Sequence, residues 1–404
     1  MKYHPRWGSS VQTTGVPFGS GGSARLSMTY GMPDPDLFPA AGVAEAAATA
    51  LARPELAATA LQYGRIQGQP DFISLLADRL CRNEGLQVRP ENLLVASGSS
   101  SAIGLVARTF LDRGDIVLVE APSFPGAMSI FERMGARLCP LPIGAGGIDI
   151  EGAEQMLNGM RAKSNKPKLL YTMPTFHNPL GGTLDVNARK SLLDLAGEYD
   201  LLVLEDDAYR DLYYDADSGA LPPSLYALDT EGRVVRTGTF SKILSPGMRL
   251  GWALAQPEVI KRMMLVKDEG GTSPFAQQTA VEYARSGALD AHIATLVEAY
   301  RAKRDAMLAA LDHYFPQGPE IGSWTTPAGG FFVWVTLPNG IDPAQLAALA
   351  AEQDVDYMPG ESCFPGEGVL PDTYMRLSYS TLNTVQIEEA IDRLSRAVSS
   401  LSKG

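Results

Sequence analysis

The chain has 404 residues, of which 45% are hydrophobic and 20% are charged, and its formal net charge at pH 7 is −12. This length exceeds what one hydrophobic core serves, so we expect two or more structural units with ample core material. The acidic balance and the lack of a long basic run exclude free nucleic acid and anionic membranes as partners, but they leave room for a local basic pocket that holds one phosphate.

The cysteines and the first residues predict a cytoplasmic protein. Cys81, Cys139 and Cys363 form no Cys-x-x-Cys motif and cannot all pair, which is typical of a reducing compartment. Residues 1–7 lack the charged-then-apolar layout of a signal peptide. No uninterrupted apolar run reaches the length of a membrane span, so we expect no membrane partner.

The N-terminal part of the chain begins irregularly. Residues 8–25 are rich in Gly, Ser and Thr without any period, which indicates a flexible arm, a lid or a ragged end. A short β-like run at 28–30 is followed by Gly and two prolines. Helices are predicted for the Ala-rich residues 41–53 and for 70–83, where Pro70 marks the first turn.

The middle of the chain, residues 92–252, repeats a strand–loop–helix pattern. Four runs of about five largely apolar residues are predicted strands, at 93–96, 116–120, 168–172 and 201–205. Runs that are apolar throughout indicate strands buried on both faces, as in a mainly parallel sheet covered by helices. We therefore predict an α/β fold, with ligands bound beyond the carboxyl ends of these strands.

The pattern changes after residue 274 to that of a smaller α+β unit. Strands are predicted at 331–335, 355–358 and 375–379, and helices at 287–314, 343–353 and 384–401. The segment around 28–40 is expected to join this unit. The expected division is an N-terminal arm with part of the small domain (1–44), a large cofactor-binding domain (45–287) and a small C-terminal domain (288–404).

The first two strand ends carry residues that suit a ligand. Residues 98–101, Gly-Ser-Ser-Ser, lie between a strand and a helix, where free backbone N–H groups and the helix dipole favour an anion. A hydroxyl-rich helix cap without any ligand fits the same residues. Phe124, after the second strand, either stacks on a ring-shaped cofactor or packs in the core.

The next two strand ends carry polar groups. Asn178 offers its amide to a phenolate-like oxygen, or it belongs to an ordinary Asn-Pro turn, and His177 is interpreted as structural. A carboxylate among residues 205–207 suits a protonated ring nitrogen, and Tyr209 can donate to the oxygen that Asn178 reaches. Acidic residues also solvate loops or bind metals, but no His/Cys set accompanies them, which argues against zinc or iron.

The segment 239–249 contains a candidate reactive lysine. Lys242 lies in an apolar stretch where partial desolvation lowers the pKa of its amine, so that it can attack a carbonyl and form a Schiff base. The hydroxyls of Thr239 and Ser241 and the guanidinium of Arg249 suit a phosphate ester. Together with the strand-end groups, these features match the requirements of pyridoxal 5'-phosphate. Lys242 would then also serve as the base that shuttles a proton.

The chain resembles the fold-type I, class I pyridoxal-phosphate-dependent aminotransferases, and within them the branch of 2-aminoadipate and kynurenine aminotransferases. The resemblance extends over residues 28–397 and rests on many ordered motifs. These are Gly-Met-Pro (31–33), Leu-Phe-Pro (37–39), Leu-Gln-Tyr (61–63), Gly-Ser (98–99), Phe-His-Asn-Pro (176–179), Glu-Asp-Asp-Ala-Tyr (205–209), Ser-Lys through Arg (241–249), Gly-Gly-Phe-Phe-Val-Trp (329–334) and Met-Arg-Leu-Ser (375–378).

The resemblance implies a large domain with a mainly parallel sheet, a smaller α+β domain and transamination by a ping-pong mechanism. It implies that Lys242 forms the Schiff base, that Asp206 meets the pyridine nitrogen, and that Tyr209 and Asn178 meet the ring hydroxyl. The implied phosphate ligands are Ser99, Ser100, Thr239 and Arg249. Phe124 would stack on the ring at a position where the family usually has tyrosine.

The resemblance also implies partners. Arg376 would clamp the substrate α-carboxylate, with Asn178 and Gly31 beside it, and 2-oxoglutarate would be the amino acceptor. Tyr63 would reach the site of the neighbouring subunit in a homodimer. Phe331 and Phe332 are interpreted as core residues and left out of the site.

Three departures from the family pattern bear on function. Serines at 100 and 101 stand where the family commonly has glutamines, and Leu180 replaces a threonine. The Gly/Ser-rich arm has one arginine, Arg25, where aminoadipate-type relatives have a basic helix, so the donor amino acid is not legible. Alternatives to a transaminase are a lyase or decarboxylase with the same cofactor and fold. A non-catalytic sensor domain fits less well, because the roughly 27 preceding residues match no helix-turn-helix.

Overall fold

The computed structural model of the protein describes residues 24–144, 147–163, 165–216, 219–315, 322–337, 340–366 and 372–401. The predicted arm lies outside these residues up to position 23. Arg25, at its end, pairs with Glu389 at 2.8 Å and with Asp354 at 3.6 Å, and its side chain is about half exposed.

The described residues form both strands and α-helices. The strands are β1 (Leu26–Met28), β2 (Leu93–Ala96), β3 (Ile116–Glu120), β4 (Arg137–Leu141), β5 (Ile143–Gly144), β6 (Gly147–Ile148), β7 (Pro167–Thr172), β8 (Leu202–Asp206), β9 (Val234–Thr239), β10 (Gly251–Leu254), β11 (Ser323–Trp324), β12 (Phe332–Leu337), β13 (Val355–Pro359) and β14 (Thr373–Ser378). The helices are α1 (Ala40–Ala52), α2 (Pro54–Ala60), α3 (Pro70–Glu84), α4 (Ser99–Phe110), α5 (Pro125–Arg133), α6 (Ile150–Ala162), α7 (Val186–Glu198), α8 (Leu225–Leu228), α9 (Pro257–Leu265), α10 (Pro274–Arg285), α11 (Ala288–Tyr314), α12 (Pro343–Glu352) and α13 (Thr384–Leu401).

Seven strands form the large sheet in the order β2-β10-β9-β8-β7-β3-β4. All pairings are parallel except those of β10, which runs antiparallel to both β2 and β9. Apart from the partly exposed edge strand β4, the strands are buried on both faces: Val117 and Val119 of β3 belong to one hydrophobic cluster, and Ile116 and Leu118 to another. This confirms the predicted α/β fold with a mainly parallel sheet between helices.

The topology brings five loops to one edge of the sheet. Because β10 is antiparallel to both of its neighbours, β2 runs in the same direction as β9 and the other parallel strands. The loops after β2, β3, β7, β8 and β9 therefore open at the same edge, where ligands bind in such sheets.

A second sheet has the order β1-β13-β14-β12-β11. The N-terminal strand β1 pairs parallel to β13, with Leu26 opposite Val355, and the other pairings are antiparallel. Arg376 of β14 lies opposite Trp334 of β12. No helix within the described ranges is both long and apolar enough for a membrane span.

Candidate active site

A cavity of about 610 Å³ lies at the edge where the five loops meet. All but one of the predicted site residues line it: Gly31, Ser99, Ser100, Phe124, Asn178, Asp206, Tyr209, Thr239, Lys242, Arg249 and Arg376. The exception is Tyr63, which is 90% exposed and does not line the cavity of its own chain.

Lys242 lies in the loop after β9, with its amine inside the cavity. Its Nζ donates to the carbonyl of Gly31 at 2.8 Å and lies 5.9 Å from the ring centre of Tyr209 and 5.7 Å from that of Phe331. Burial lowers the pKa of Lys242 to about 8; the positive charge of Arg376 acts in the same direction, and Asp206 opposes it. A substantial fraction of this amine is therefore neutral and nucleophilic near pH 8.

Of the three acidic residues 205–207, only Asp206 lines the cavity. Successive residues of a strand point to opposite faces, so Glu205 and Asp207 share the other face. Tyr171 of the neighbouring strand β7 donates its hydroxyl to Asp206 at 2.8 Å. Burial raises the pKa of Asp206 to about 6, and the hydrogen bond from Tyr171 acts in the opposite direction.

The two flanking carboxylates have fixed partners of their own. Glu205 accepts hydrogen bonds from the backbone N–H groups of Leu225 and Tyr226 at 2.8 and 3.0 Å. Asp207 accepts from Arg236 at 2.8 Å, and the same guanidinium binds both oxygens of Glu84. These contacts leave Asp206 as the carboxylate available to the cavity.

An anion cup lies where β2 meets α4. Gly98 has φ of +92°, and a Cβ there would lie 2.8 Å from Nη2 of Arg249, so only glycine lets the guanidinium approach the helix start. Arg249 donates to the carbonyl of Ser97 at 2.7 Å and is itself in the left-handed region at φ +51°. Ser99 begins the 12-residue helix α4, whose first N–H groups suit a phosphate.

The loops after β3, β7 and β8 place the other predicted residues around the cavity. Phe124 caps the start of α5 and presents its ring to the cavity. Tyr209 is buried, and its ring packs edge-on against Phe331 at 5.4 Å. Burial raises the pKa of Tyr209, so its hydroxyl stays protonated and can donate a hydrogen bond.

Arg376 enters the cavity from the second sheet. Its guanidinium donates to Oδ1 of Asn178 at 2.9 Å and to the carbonyl of Thr29 at 2.7 Å, and it lies 4.3 Å from the ring centre of Phe332. Its Nε is buried without a partner. Among the described residues Arg376 forms no ion pair, so a buried positive charge faces the cavity uncompensated.

Two residues that border this site were not predicted as part of it. Phe332 is a buried core residue, as predicted, but it also lines the cavity beneath Arg376. Tyr171 was treated only as part of a strand. A single hydroxyl inside an otherwise apolar buried run was the available signal, since buried phenols usually bind a partner.

The residues present fit pyridoxal 5'-phosphate. The cup and Arg249 would hold the phosphate, Lys242 would bind the aldehyde carbon, Asp206 would meet the pyridine nitrogen, and Asn178 and Tyr209 would meet the ring hydroxyl. The orphaned Nε of Arg376 leaves a donor for a substrate carboxylate. When bound, this cofactor withdraws electrons from the substrate's Cα bonds. Fold and site together define a pyridoxal-phosphate enzyme.

Comparison with known proteins gives the family. The model of "Aminotransferase class I and II" matches residues 33–394, and the chain belongs to this family. The 2-aminoadipate transaminase of Thermus thermophilus is 38% identical, over 93% of this chain and 90% of its own length. The aromatic-amino-acid aminotransferase 1 of Thermococcus litoralis is 36% identical, over 92% of this chain and 88% of its own length.

A solved structure shows the same fold. The alpha-aminoadipate aminotransferase LysN from Thermus thermophilus, complexed with N-(5'-phosphopyridoxyl)-L-leucine, superposes with a TM-score of 0.84 at 37% identity, covering 94% of this chain and 93% of that one. The predicted family, fold and cofactor are thereby confirmed. The protein is a pyridoxal-phosphate-dependent aminotransferase.

Proposed function

We propose that the enzyme transfers the amino group of an L-amino acid to 2-oxoglutarate by a ping-pong mechanism, with Lys242 as the lysine that binds the cofactor and moves the proton. The observation that carries this proposal is one cavity in which Lys242, Asp206, Arg249 and Arg376 converge. Its lowered pKa lets Lys242 accept a proton from Cα and return it.

Each remaining residue has a proposed task at a stated atom. The guanidinium of Arg376 and the amide of Asn178 hold the substrate α-carboxylate beside Gly31. The ring of Phe124 stacks on the cofactor, and the hydroxyls of Ser99, Ser100 and Thr239 bind its phosphate. The hydroxyl of Thr239 donates to that of Ser241 at 2.9 Å and is thereby oriented within the loop that carries Lys242.

We propose that the donor has an apolar or aromatic side chain. The relative from Thermococcus litoralis acts by name on aromatic amino acids, which supports this proposal, whereas the relative from Thermus thermophilus acts by name on the acidic 2-aminoadipate. Three cations are among the described lining residues: Lys242 is assigned to the cofactor aldehyde, Arg249 to its phosphate and Arg376 to the substrate α-carboxylate. Much of the remaining wall is apolar and includes Met32, Pro33, Phe38 and Phe332. Aspartate would bring its second carboxylate into this wall. The longer 2-oxoglutarate extends to the open end, where Met32 is 50% exposed.

An amino acid panel with 2-oxoglutarate tests this proposal. We expect kcat/KM for leucine, phenylalanine and tyrosine to exceed that for aspartate by at least about tenfold, the usual scale of discrimination by a pocket wall. With donor alone, the enzyme should release one equivalent of 2-oxo acid per site and stop. Continuous release of pyruvate and ammonia would instead indicate a lyase.

We propose a homodimer in which Tyr63 enters the partner's cavity. Two large hydrophobic side chains close to Tyr63 in the chain are also exposed, Leu61 at 72% and Ile66 at 46%, as at an interface. Mixing Tyr63→Ala with Lys242→Ala tests the exchange. Random exchange of subunits makes about half of the dimers hybrids. If Tyr63 serves the partner, each hybrid has one intact site, and about a quarter of wild-type activity returns. If Tyr63 serves its own site, none returns.

We also propose a cytoplasmic location and a role in amino acid biosynthesis. All three cysteines are free, with Cys81 exposed, which suits a reducing compartment.

The proposed division into residues 1–44, 45–287 and 288–404 is supported by the two separate sheets and by the pairing of β1 with β13. Limited proteolysis that cuts first near Gly287, between α10 and α11, would support the boundary between the large and the small domain.

A further inference from the structure

The backbone segment 29–34, here called the strap, borders the cavity and binds polar side chains from three directions. Arg376 donates to the carbonyl of Thr29 at 2.7 Å, Lys242 to that of Gly31 at 2.8 Å, and the hydroxyl of Ser380 to that of Met32 at 2.6 Å. The strap's position therefore sets where the side chains of Arg376 and Lys242 lie.

The strap has little freedom to move at its centre. A Cβ on Gly31 would lie 2.4 Å from Cζ of Phe332, so the backbone of Gly31 is in close contact with that ring. Phe332 in turn lies beneath Arg376. A displacement of the strap would consequently change the surroundings of Lys242 and Arg376 together.

The far end of the strap is anchored by a buried ion pair outside the cavity lining. Lys303 of α11 binds Oδ2 of Asp34 at 2.5 Å, and the same amine donates to the carbonyl of Ser380 at 3.0 Å. Tyr300, one turn earlier on α11, accepts from the backbone N–H of Asp34 at 3.1 Å. Asp34 and Lys303 are 8% and 6% exposed. Lys303 thus ties the strap to Ser380, two residues beyond the strand that carries Arg376.

We propose that Lys303 is a positioning residue for transamination: through Asp34 and Ser380 it fixes the strap so that the Gly31 carbonyl holds the amine of Lys242 whenever that amine is not bonded to the cofactor. The proposal rests on the assignment of Lys242 as the catalytic lysine.

The chemistry explains why such an acceptor matters. A lysine that leaves the cofactor during each half-reaction regains four rotatable bonds, and side-chain ordering of this kind has an entropic cost. An oriented carbonyl keeps its amine near the reacting carbon. Small misplacements of such groups, about 1 Å, lower rates by up to about 100-fold. When Lys242 is bonded to the cofactor, the Gly31 carbonyl is not needed for this task.

The test compares Lys303→Met and Asp34→Asn with a matched control, Arg304→Met. Arg304 is the next residue of α11, is also buried, and forms an ion pair with Asp215 at 2.6 Å that does not contact the strap. We expect kcat to fall roughly 10- to 100-fold in both strap variants. We expect KM for the donor, the cofactor Kd and the visible absorbance of the resting enzyme to change less than about threefold.

Three results would overturn the proposal: wild-type kcat in Lys303→Met and Asp34→Asn, an equal loss of kcat in Arg304→Met, or a loss of cofactor affinity parallel to that of kcat. If Lys303→Met does not fold, Asp34→Asn alone decides, because it preserves side-chain volume. The double variant should lose no more than the single variants, since both remove one interaction. Lys242→Ala, measured in parallel, tests the lysine assignment separately, because its loss of the covalent cofactor adduct does not depend on the strap.

Discussion

The two halves of the cavity hold their charges in different ways. On the large sheet, the carboxylates of β8 and its following loop have fixed donors: Tyr171 for Asp206 and Arg236 for Asp207. On the small sheet, Arg376 is held by two neutral oxygens and an aromatic face, and among the described residues it has no carboxylate partner.

This difference separates a permanent ligand from exchanging ones. A cofactor that stays bound is matched by groups whose geometry is fixed before it arrives, which lowers the cost of binding. A substrate that enters and leaves meets a buried cation, and the substrate's own carboxylate neutralises the charge of that cation. We therefore expect the large sheet to specify the cofactor and the small sheet to specify the common part of all substrates.

The largest effect is expected from removing the lysine on the cofactor side. Lys242→Ala should lower kcat by at least about 10³-fold, because it removes both the covalent link and the proton carrier. The variant should fold and still bind the cofactor noncovalently through the cup. Borohydride treatment followed by peptide mass mapping should find the cofactor on residue 242 in the wild type and none in the variant. An adduct on another lysine of the wild type would refute the assignment.

The next effect is expected on the substrate side. Arg376→Ala should raise KM for all amino donors by roughly 100-fold, the loss of a charge-assisted pair of hydrogen bonds, with little change in cofactor Kd. Arg249→Ala should do the reverse, weakening cofactor binding with donor KM nearly unchanged. Steady-state kinetics and cofactor titration measure both. An effect of Arg376→Ala confined to one class of side chain would contradict the division between the two halves.

The buried carboxylate gives a prediction for stability against pH. The pKa of Asp206 is raised to about 6 in the folded protein, so between about pH 4 and 6 the folded state binds more protons than the unfolded state. Its contribution is therefore most favourable below pH 4, and roughly 3 kcal/mol is lost as pH rises through 6. The free energy of unfolding, measured with urea and plotted against pH, should have different slopes for cofactor-free wild type and Asp206→Asn over this window. Equal slopes would show that the pKa is not raised.

The smallest effect is expected from the partner of this carboxylate. The hydrogen bond from Tyr171 lowers the pKa of Asp206 against the effect of burial. Tyr171→Phe should therefore move the stability window of the cofactor-free protein upward, by about one pH unit or less. The control is Tyr213→Phe, whose hydroxyl binds a carbonyl at the surface and should leave the window unchanged. A downward shift in Tyr171→Phe would contradict the assigned direction.

The sequence predicted the strands that are apolar throughout, but it did not predict β9. That strand has the sequence Val-Val-Arg-Thr-Gly-Thr, and every residue of it is buried. Its polar residues interrupt the apolar run from which a buried strand is predicted. Arg236 can be buried because its charge is compensated by Glu84, 152 positions away in the chain. Only a folded structure brings these charges together.

The same limit applies to the site. Strand alternation predicts that Asp206 faces away from Glu205 and Asp207, but not which face meets the cavity. Phe332 and Tyr171 became site residues through contacts across strands, with Arg376 and Asp206 respectively, that no local motif encodes. The role proposed for Tyr63 remains a prediction, since it depends on a second chain, and residues 8–23 of the Gly/Ser-rich arm lie outside the described residues.

The short path from Thr239 to Gly251 has a consequence for how the enzyme loses its cofactor. Within it lie Lys242, Arg249 and Gly251, and a Cβ on Gly251 would come 2.4 Å from the carbonyl carbon of Gly98. Loosening this one stretch would release the phosphate end and open the bond between Lys242 and the aldehyde carbon to hydrolysis by water. Faster hydrogen exchange of these amides should accordingly accompany faster loss of the vitamin-derived group.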